Sequence, residues 1–374
     1  MKKRIMIFTP AAFPAVKYGG PILSVFRNAV NFSQLGNTVE IITTTLGQNF
    51  KETQVSRVDS NFSITYLKVR SNFKCSIPYL LAIPKKIQDC DEVILEDFYW
   101  VATPIVLIWV SISKKRCFIV PRGSIMQPCI DMASTAKKKI FVKLIGIIFK
   151  ILRLDPIFIF SSDFERESSP FFMNYRSLII PNRGEPKASD QTVGSPGKSG
   201  TVMLFVGRIA SEKNLISTLL VYKKVREYFP NLRLKVVGPD YGELKNLRKF
   251  CVLNEITDVD FVGQQSGEEL EASYRDADIF ILTSNFESYG NVILEALCHG
   301  CPVVTNQNNP WKDLNEFGAG AQVPHDVEMM AAAAIEILTN GKTHYATPIA
   351  NLLGKCGDDN INGLWNEAFH EKKH

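Results

Sequence analysis

A succession of short, almost wholly apolar segments, each followed by a helix-length stretch, constrains the fold of this chain most. "RIMIFTP", "TVEIITTT", "EVILED", "CFIVPRG", "IFIFSS" and "LIIPN" occur in the first half. Strands without apolar–polar alternation are buried on both faces, as in a parallel sheet covered by crossover helices. "GPILSVFRNAVNFSQLG", from Gly20, fits the first such helix, ended by a glycine. The polar stretch "KASDQTVGSPGKSG", Lys187–Gly200, interrupts the alternation and reads as a linker. The pattern then restarts with "VMLFVGR", "LRLKVVGP", "VDFVG", "DIFILTS" and "CPVVTNQ". The expected organisation is a doubly wound α/β domain over 1–186, a linker over 187–200, a second such domain over 201–355 and a tail over 356–374.

A chain of 374 residues can hold two cores, and 45% apolar with 22% charged residues is a globular composition. The net charge of +5 is too small to imply a polyanionic partner, so any basic character that matters is local. Eight scattered cysteines, and an N-terminus "MKKRIMIFTP" with no secretory apolar core, predict free thiols in a reducing cytoplasm. Cys298 and Cys301 have metal or redox spacing, but four ligands are not completed around them. Packing of small residues is the simpler reading. "VATPIVLIWVSIS", Val101–Ser113, is shorter than the roughly 20 residues of a membrane span and predicts a buried helix.

In doubly wound sheets, ligands bind beyond the carboxyl ends of the strands. Gly19, Gly20, Arg122, Gly123, Gly207, Arg208, Gly238, Gly263 and Glu287 fall at those places. Glycines admit a close backbone approach and arginines supply forked donors for phosphate. Both halves contribute, so a site in a cleft between the domains is expected.

Two segments carry chemistry. In "LFVGRIASEKNL", Gly207 and Arg208 follow a strand and Lys213 lies near a helix start. Two cations and helix N-terminal N–H groups suit a diphosphate; two solvated surface cations are the plainer reading. In "NFESYGNVILEALCHG", Asn285–Gly300, Glu287 and Glu295 have seven residues between them. One continuous helix would set them about 80° apart, but Gly290 breaks the run into a turn and a helix. Carboxylates repel phosphate, so both point to hydroxyls. Glu287 suits a sugar on one side of a diphosphate and Glu295 a ribose on the other. Charge complementarity with the helix N-terminus also accounts for each, and at Glu295 the two readings stand level.

"FESYGNVILEAL" resembles the E-x7-E motif of the family 4 retaining glycosyltransferases, and "VGRIASEKN" resembles that family's phosphate motif. "KYGGP", "VPRGS", "IIPN", "FVGQ" and "YRDADIFILTS" occur in matching order, so the likeness covers about residues 1–340. It implies the GT-B fold: α/β, two Rossmann-like doubly wound parallel-sheet domains facing across a cleft. It further implies a retaining hexosyltransferase with a nucleotide-diphosphate sugar as donor, no required metal and no covalent intermediate. Arg208 and Lys213 would neutralise the leaving diphosphate and Glu287 would hold the donor hexose, these three being catalytic. Glu295 would hold the ribose. Backbone at Gly19, Gly20, Gly207, Tyr289, Gly290, Asn291 and Val292 would approach the donor phosphates, and Val262 and Gly263 would border the base. Arg122 stands where many relatives carry a histidine, and would contact the donor or an acceptor phosphate. "PNRGEP" departs from the usual Pro-Asn-Gly, and "INGLWNEAFHEKKH" matches a helix that crosses back to the first domain.

In "KKKIFVKLIGIIFKILRL", Lys139, Lys143, Gly146, Lys150 and Arg153 recur at steps of four and three, one stripe of a helix. A basic amphipathic helix can lie on an anionic bilayer; a core helix with a basic stripe facing water is the other reading. Members of the resembled family that build O-antigen, lipopolysaccharide, capsule or exopolysaccharide use polyprenyl-diphosphate-linked acceptors at the inner membrane face. The expectation is therefore a cytoplasmic, membrane-peripheral glycosyltransferase of surface-polysaccharide assembly with Lys139, Lys143, Lys150 and Arg153 facing the membrane. A soluble small-molecule acceptor, or a catalytically silent nucleotide-sugar-binding protein, are the rivals. A dinucleotide oxidoreductase is disfavoured because no G-x-G-x-x-G follows the first strand. Nucleic-acid binding lacks support because the basic run is interleaved with aliphatics, not stacking aromatics.

Overall fold

The computed structural model describes residues 2–15, 20–47, 53–69, 77–132, 135–184 and 200–370. Gly19 and nearly all of the expected linker lie outside these residues. The chain forms two compact units, the first from residues 1–183 with 361–374, the second from 184–360.

The first unit runs β1 (Arg4–Phe8), α1 (Gly20–Gln34), β2 (Thr38–Thr44), β3 (Gln54–Arg57), β4 (Phe62–Leu67), α2 (Ile77–Gln88), β5 (Glu92–Glu96) and α3 (Thr103–Ile112). It continues with β6 (Arg116–Val120), α4 (Gln127–Met132), α5 (Thr135–Ile151), β7 (Ile157–Phe160), α6 (Asp163–Glu167) and β8 (Ser177–Ile179). The described strands order β3-β4-β2-β1-β5-β6-β7-β8, and every pairing is parallel except β3 with β4. Successive side chains of a strand face opposite ways. Ile5 and Ile7 accordingly enter one apolar layer with Ile94 and Phe118, while Met6 and Phe8 enter the other with Val93 and Leu95. Burial on both faces explains the unbroken apolar reading of these strands. β3 and β4 were not expected. β3 is a polar edge strand, largely exposed, and carries no apolar signal.

The second unit runs β9 (Val202–Val206), α7 (Leu215–Tyr228), β10 (Arg233–Val237), α8 (Leu244–Leu253), β11 (Val259–Gly263), α9 (Glu268–Asp276) and β12 (Ile279–Leu282). Next come α10 (Asn291–Cys298), β13 (Val303–Asn306), α11 (Asp313–Phe317), β14 (Gly320–Val323), α12 (Val327–Asn340) and α13 (Ala346–Gly354). Its parallel sheet is ordered β11-β10-β9-β12-β13-β14. β14, "GAQV", is the strand the sequence pattern did not suggest.

The last helix, α14 (Asp358–His370), carries the chain back into the first unit. Trp365 and Phe369 are buried there against Phe32, with ring centroids 5.0 and 5.3 Å away. Lys3 and Arg116 both donate to the Phe369 carbonyl and both pair with the buried Glu92. Cations at the last helical carbonyls complement the helix dipole.

Each sheet has a point where the chain reverses its direction of travel. β1 lies between β2 and β5, and β9 between β10 and β12. The crevice at the carboxyl ends of such neighbouring strands is where open α/β sheets bind ligands.

Two helices depart from the sequence reading. α3 buries Val106, Leu107 and Val110 but exposes Ile108 and Ile112, so it is not buried all round. α5 ends at Ile151, which leaves Arg153 beyond the helix with φ 48°, off the continuous stripe expected for it. α5 buries Val142, Ile145 and Phe149, whereas Ile140, Leu144, Ile147 and Ile151 form a second, exposed apolar stripe. Lys143 and Lys150 are exposed beside it, and Lys139 pairs with Asp131 at 3.3 Å. No helix among the described residues is long and apolar enough to cross a membrane. The described cysteines are free thiols, and Cys298 and Cys301 are buried in the second core.

Candidate functional site

At the reversal point of the second sheet, β9 delivers Gly207 and Arg208. The chain must pass very close here. A Cβ on Gly238, after β10, would lie 1.8 Å from the Gly207 carbonyl oxygen. Only glycine tolerates that approach, and Gly238 also has φ 149°. Beyond Arg208 a short turn of 3₁₀ helix, Ser211–Lys213, leads through Asn214 in the left-handed conformation into α7.

β12 ends opposite this turn. Asn285 N–H donates to the Glu212 carbonyl at 2.9 Å, tying the two loops together. Glu287 N–H is held by the Asn308 carbonyl at 2.9 Å. This scaffold brings the Lys213 ammonium onto Glu287 Oε1, with both side chains 14% exposed. The pair spans 74 residues of sequence and uses one of the three donors of the ammonium. Arg208 pairs with Glu212 at 2.9 Å, lies 5.4 Å from the Tyr241 ring centroid, and leaves half of its side chain (52%) in solvent.

Gly290 then takes φ 78° and starts α10 without a side-chain cap. The cap residue itself offers no side chain to the first N–H groups, which carry the positive end of the helix dipole. Tyr289 points its ring into the core, with its carbonyl accepting from Trp311 Nε1 and its hydroxyl 3.5 Å from Cys356 Sγ. Burial pushes the Tyr289 phenol well above its ordinary value. Only its backbone is left to serve a ligand. Glu295, one turn inside α10, accepts from the Tyr274 hydroxyl at 2.9 Å, and Tyr274 stacks on His299 at 5.2 Å. Burial, then the Glu295 charge, raise the Tyr274 phenol far up, so it stays a donor to that carboxylate. Val262, exposed, and Gly263, with φ 78°, end β11.

The structure thus joins Lys213 with Glu287 directly and Arg208 with them through Glu212. It holds Glu295 separately, through Tyr274. Sequence reading missed Glu212, Tyr274 and Asn308. Glu212 lies only four residues from Arg208, but no helix joins them, so that spacing gave no signal; the others are contacts across 21 residues or more of sequence.

In the first unit, Gly20 opens α1 and Arg122 follows β6 with φ 53°. Its guanidinium is already engaged. Nε and Nη2 donate to Glu96 at 2.9 and 3.0 Å, and Nη1 donates to Asn182 at 2.6 Å. Burial raises the Glu96 carboxyl, and Arg122 opposes that rise. Glu165, also buried and raised for the same reason, accepts from Gly123 N–H and from Ser161 N–H and hydroxyl. Arg122 is therefore fixed to its own unit, a partner set that the sequence did not disclose.

Residues 189–350 match the family described as Glycosyl transferases group 1. Over 141 residues the chain is 30% identical to a glycogen synthase of Mycobacterium tuberculosis, which spans 36% of this chain and 33% of the relative. It is 29% identical over 155 residues to the GDP-mannose:cellobiosyl-diphosphopolyprenol alpha-mannosyltransferase of Xanthomonas oryzae pv. oryzae, spanning 41% and 40% of the two chains. The chain thus spans about a third of the length of the first of these curated relatives. HepE of Anabaena, solved in complex with UDP and glucose, superposes with a TM-score of 0.71 at 14% identity, over 99% of this chain and 100% of that one. That likeness is one of fold.

Proposed function

Because residues 189–350 carry the sequence of the group 1 glycosyl transferases and the chain has their GT-B fold, we propose that it is a retaining hexosyltransferase using a nucleotide-diphosphate sugar. The observation that carries this reading is the Lys213–Glu287 pair at the reversal point of the second sheet, beside a solvent-exposed Arg208 and the glycine-led start of α10. In the proposed reaction the bond between the anomeric carbon and the bridging phosphate oxygen breaks. The acceptor hydroxyl forms its new bond on the same face and gives its proton to the departing phosphate. Negative charge grows on the diphosphate, and Arg208, Lys213 and the α10 N–H groups stabilise it where it develops. Glu287 grips the hexose and Glu295, oriented by Tyr274, the ribose. These cations supply the charge a metal would otherwise bring, so turnover is expected to survive chelation.

Nucleoside diphosphates test the reading. A bound one stabilises by mass action, by about 2.7 kcal/mol at a hundred times its dissociation constant. The matching nucleotide sugar should then release its diphosphate, and Glu287→Ala and Arg208→Ala should each slow that release by about 10²–10³. A silent binding protein would show the thermal shift without turnover in the wild type.

The acceptor is proposed to be a lipid-linked sugar at an anionic membrane surface, in surface-polysaccharide assembly. The second apolar stripe of α5, flanked by Lys143 and Lys150, supports this, as does the diphosphopolyprenol named for the Xanthomonas relative. Flotation with vesicles containing anionic lipid is expected for the wild type and lost in the Lys143→Glu, Lys150→Glu double variant. A soluble acceptor predicts no flotation even at low salt.

A further inference from the structure

The two cations proposed to meet the diphosphate are held differently. Lys213 is paired with Glu287 and both side chains are largely covered, whereas half of the Arg208 side chain stands in solvent. A guanidinium on a flexible stem stabilises a developing charge only when its direction is fixed. The ion pair with Glu212 cannot fix it throughout, because a phosphate arriving at the fork competes for the same N–H donors. The second contact of Arg208 is with the exposed ring of Tyr241. The guanidinium carbon lies over that ring, 5.4 Å from its centroid, inside the roughly 6 Å reach of a cation–π attraction. The ring attracts the cation through its face and brings no acceptor oxygen to the fork, so this hold persists when Glu212 is displaced.

The backbone puts the ring there. Beyond the ends of β9 and β10 the parallel pairing runs on. Ile209 N–H donates to the Pro239 carbonyl at 2.9 Å and Tyr241 N–H to the Ile209 carbonyl at 3.0 Å, with Asp240 paired to Ile209. Asp240 Oδ1 accepts from Gly242 N–H at 2.8 Å and from Leu244 N–H at 3.1 Å, which closes the turn carrying Tyr241. Ile209 is buried, so Arg208 before it faces the opposite way, toward the exposed Tyr241. Tyr241 is thus fixed to the same backbone segment that delivers Arg208.

We propose that Tyr241 is a positioning residue of the donor site, whose ring holds the Arg208 guanidinium so that its fork meets the departing diphosphate. The proposal rests on the glycosyltransferase reading above and adds the residue that keeps its exposed cation in place. Glu212 yields its place to the phosphate, and Tyr241 does not. Tyr241 itself touches no phosphate and acts only through Arg208.

Calorimetric titration of the full chain with UDP, GDP, ADP and dTDP tests this. At least one should bind the wild type. Tyr241→Leu removes the ring from an exposed position, so the thermal midpoint should hold while that diphosphate binds about two- to fivefold more weakly. Tyr241→Phe keeps the ring and should restore the wild-type affinity. In an Arg208→Ala background Tyr241→Leu should cost nothing further, because the two residues act as a unit. An unchanged affinity in Tyr241→Leu, a loss that Tyr241→Phe shares in full, or an equal loss in the Arg208→Ala background overturns the proposal; the last result would put the ring on the nucleotide itself. Failure of all these diphosphates to bind the wild type overturns the donor reading and Tyr241 with it, whereas binding that Tyr241→Leu leaves unchanged removes Tyr241 alone.

Discussion

Arg122 in the first unit and Arg208 in the second both stand just past a strand's carboxyl end, yet their surroundings differ. Arg122 is 11% exposed and locked onto Glu96, which is itself buried, whereas Arg208 is half in solvent and meets Glu212 through one end of its fork. A buried ion pair satisfies itself and becomes part of the scaffold. An exposed cation can exchange its carboxylate for a phosphate. The same residue type at the same kind of place thus builds the fold in one unit and is available to chemistry in the other.

Substitutions can break that contrast. The largest expected effect is on the scaffold side. Arg122→Ala leaves Glu96 buried without its partner, and the first unit should lose about 3–5 kcal/mol in denaturant unfolding. A loss under about 1 kcal/mol, within the range of surface pairs, would erase the distinction. On the other side, Arg208→Ala should lower kcat by about 10²–10³ while stability stays within about 0.5 kcal/mol. Stopped assays with the identified donor, beside a melting curve, read both. A Tyr274→Phe variant sharpens the picture inside the second unit. Without the hydroxyl that orients Glu295, nucleoside-diphosphate affinity should fall about fivefold, one hydrogen bond of roughly 1 kcal/mol; calorimetric titration checks it, and an unchanged affinity removes Glu295 from the ribose.

The smallest effect concerns pH. Burial raises the Glu96 carboxyl above its ordinary 4.5. The folded state then holds that proton more tightly than the unfolded one. The stability tied to it is complete below 4.5 and is lost as pH rises through the higher folded value. The first unit's stability should decline across that window in the wild type and change less in Glu96→Gln.

Much of the second unit's candidate site could be proposed from sequence because it is local. Glu287, Gly290 and Glu295 sit on one strand–turn–helix segment, and Arg208 and Lys213 on another, so their order along the chain displays their chemistry. Tyr274, Asn308 and the Lys213–Glu287 contact were not legible, because each joins segments that only the sheet order brings together. α5 shows the same limit on a single helix. Its lysine spacing was plain, but sequence could not say which isoleucines are covered, since a buried and an exposed aliphatic stripe are written with the same residues. For Arg122 the sequence placed the cation at a strand end and left its partner unknown.

The sequence alone determined that two largely parallel sheets form, because strands covered on both faces must be apolar throughout, and it placed acids and cations at their carboxyl ends. The tertiary structure alone decided which of those charges pair with one another and which remain exposed. Charge pairing depends on distance through space, and the side-by-side pairing of strands β5 with β6 and of β9 with β12 sets that distance; the linear order of residues does not contain it.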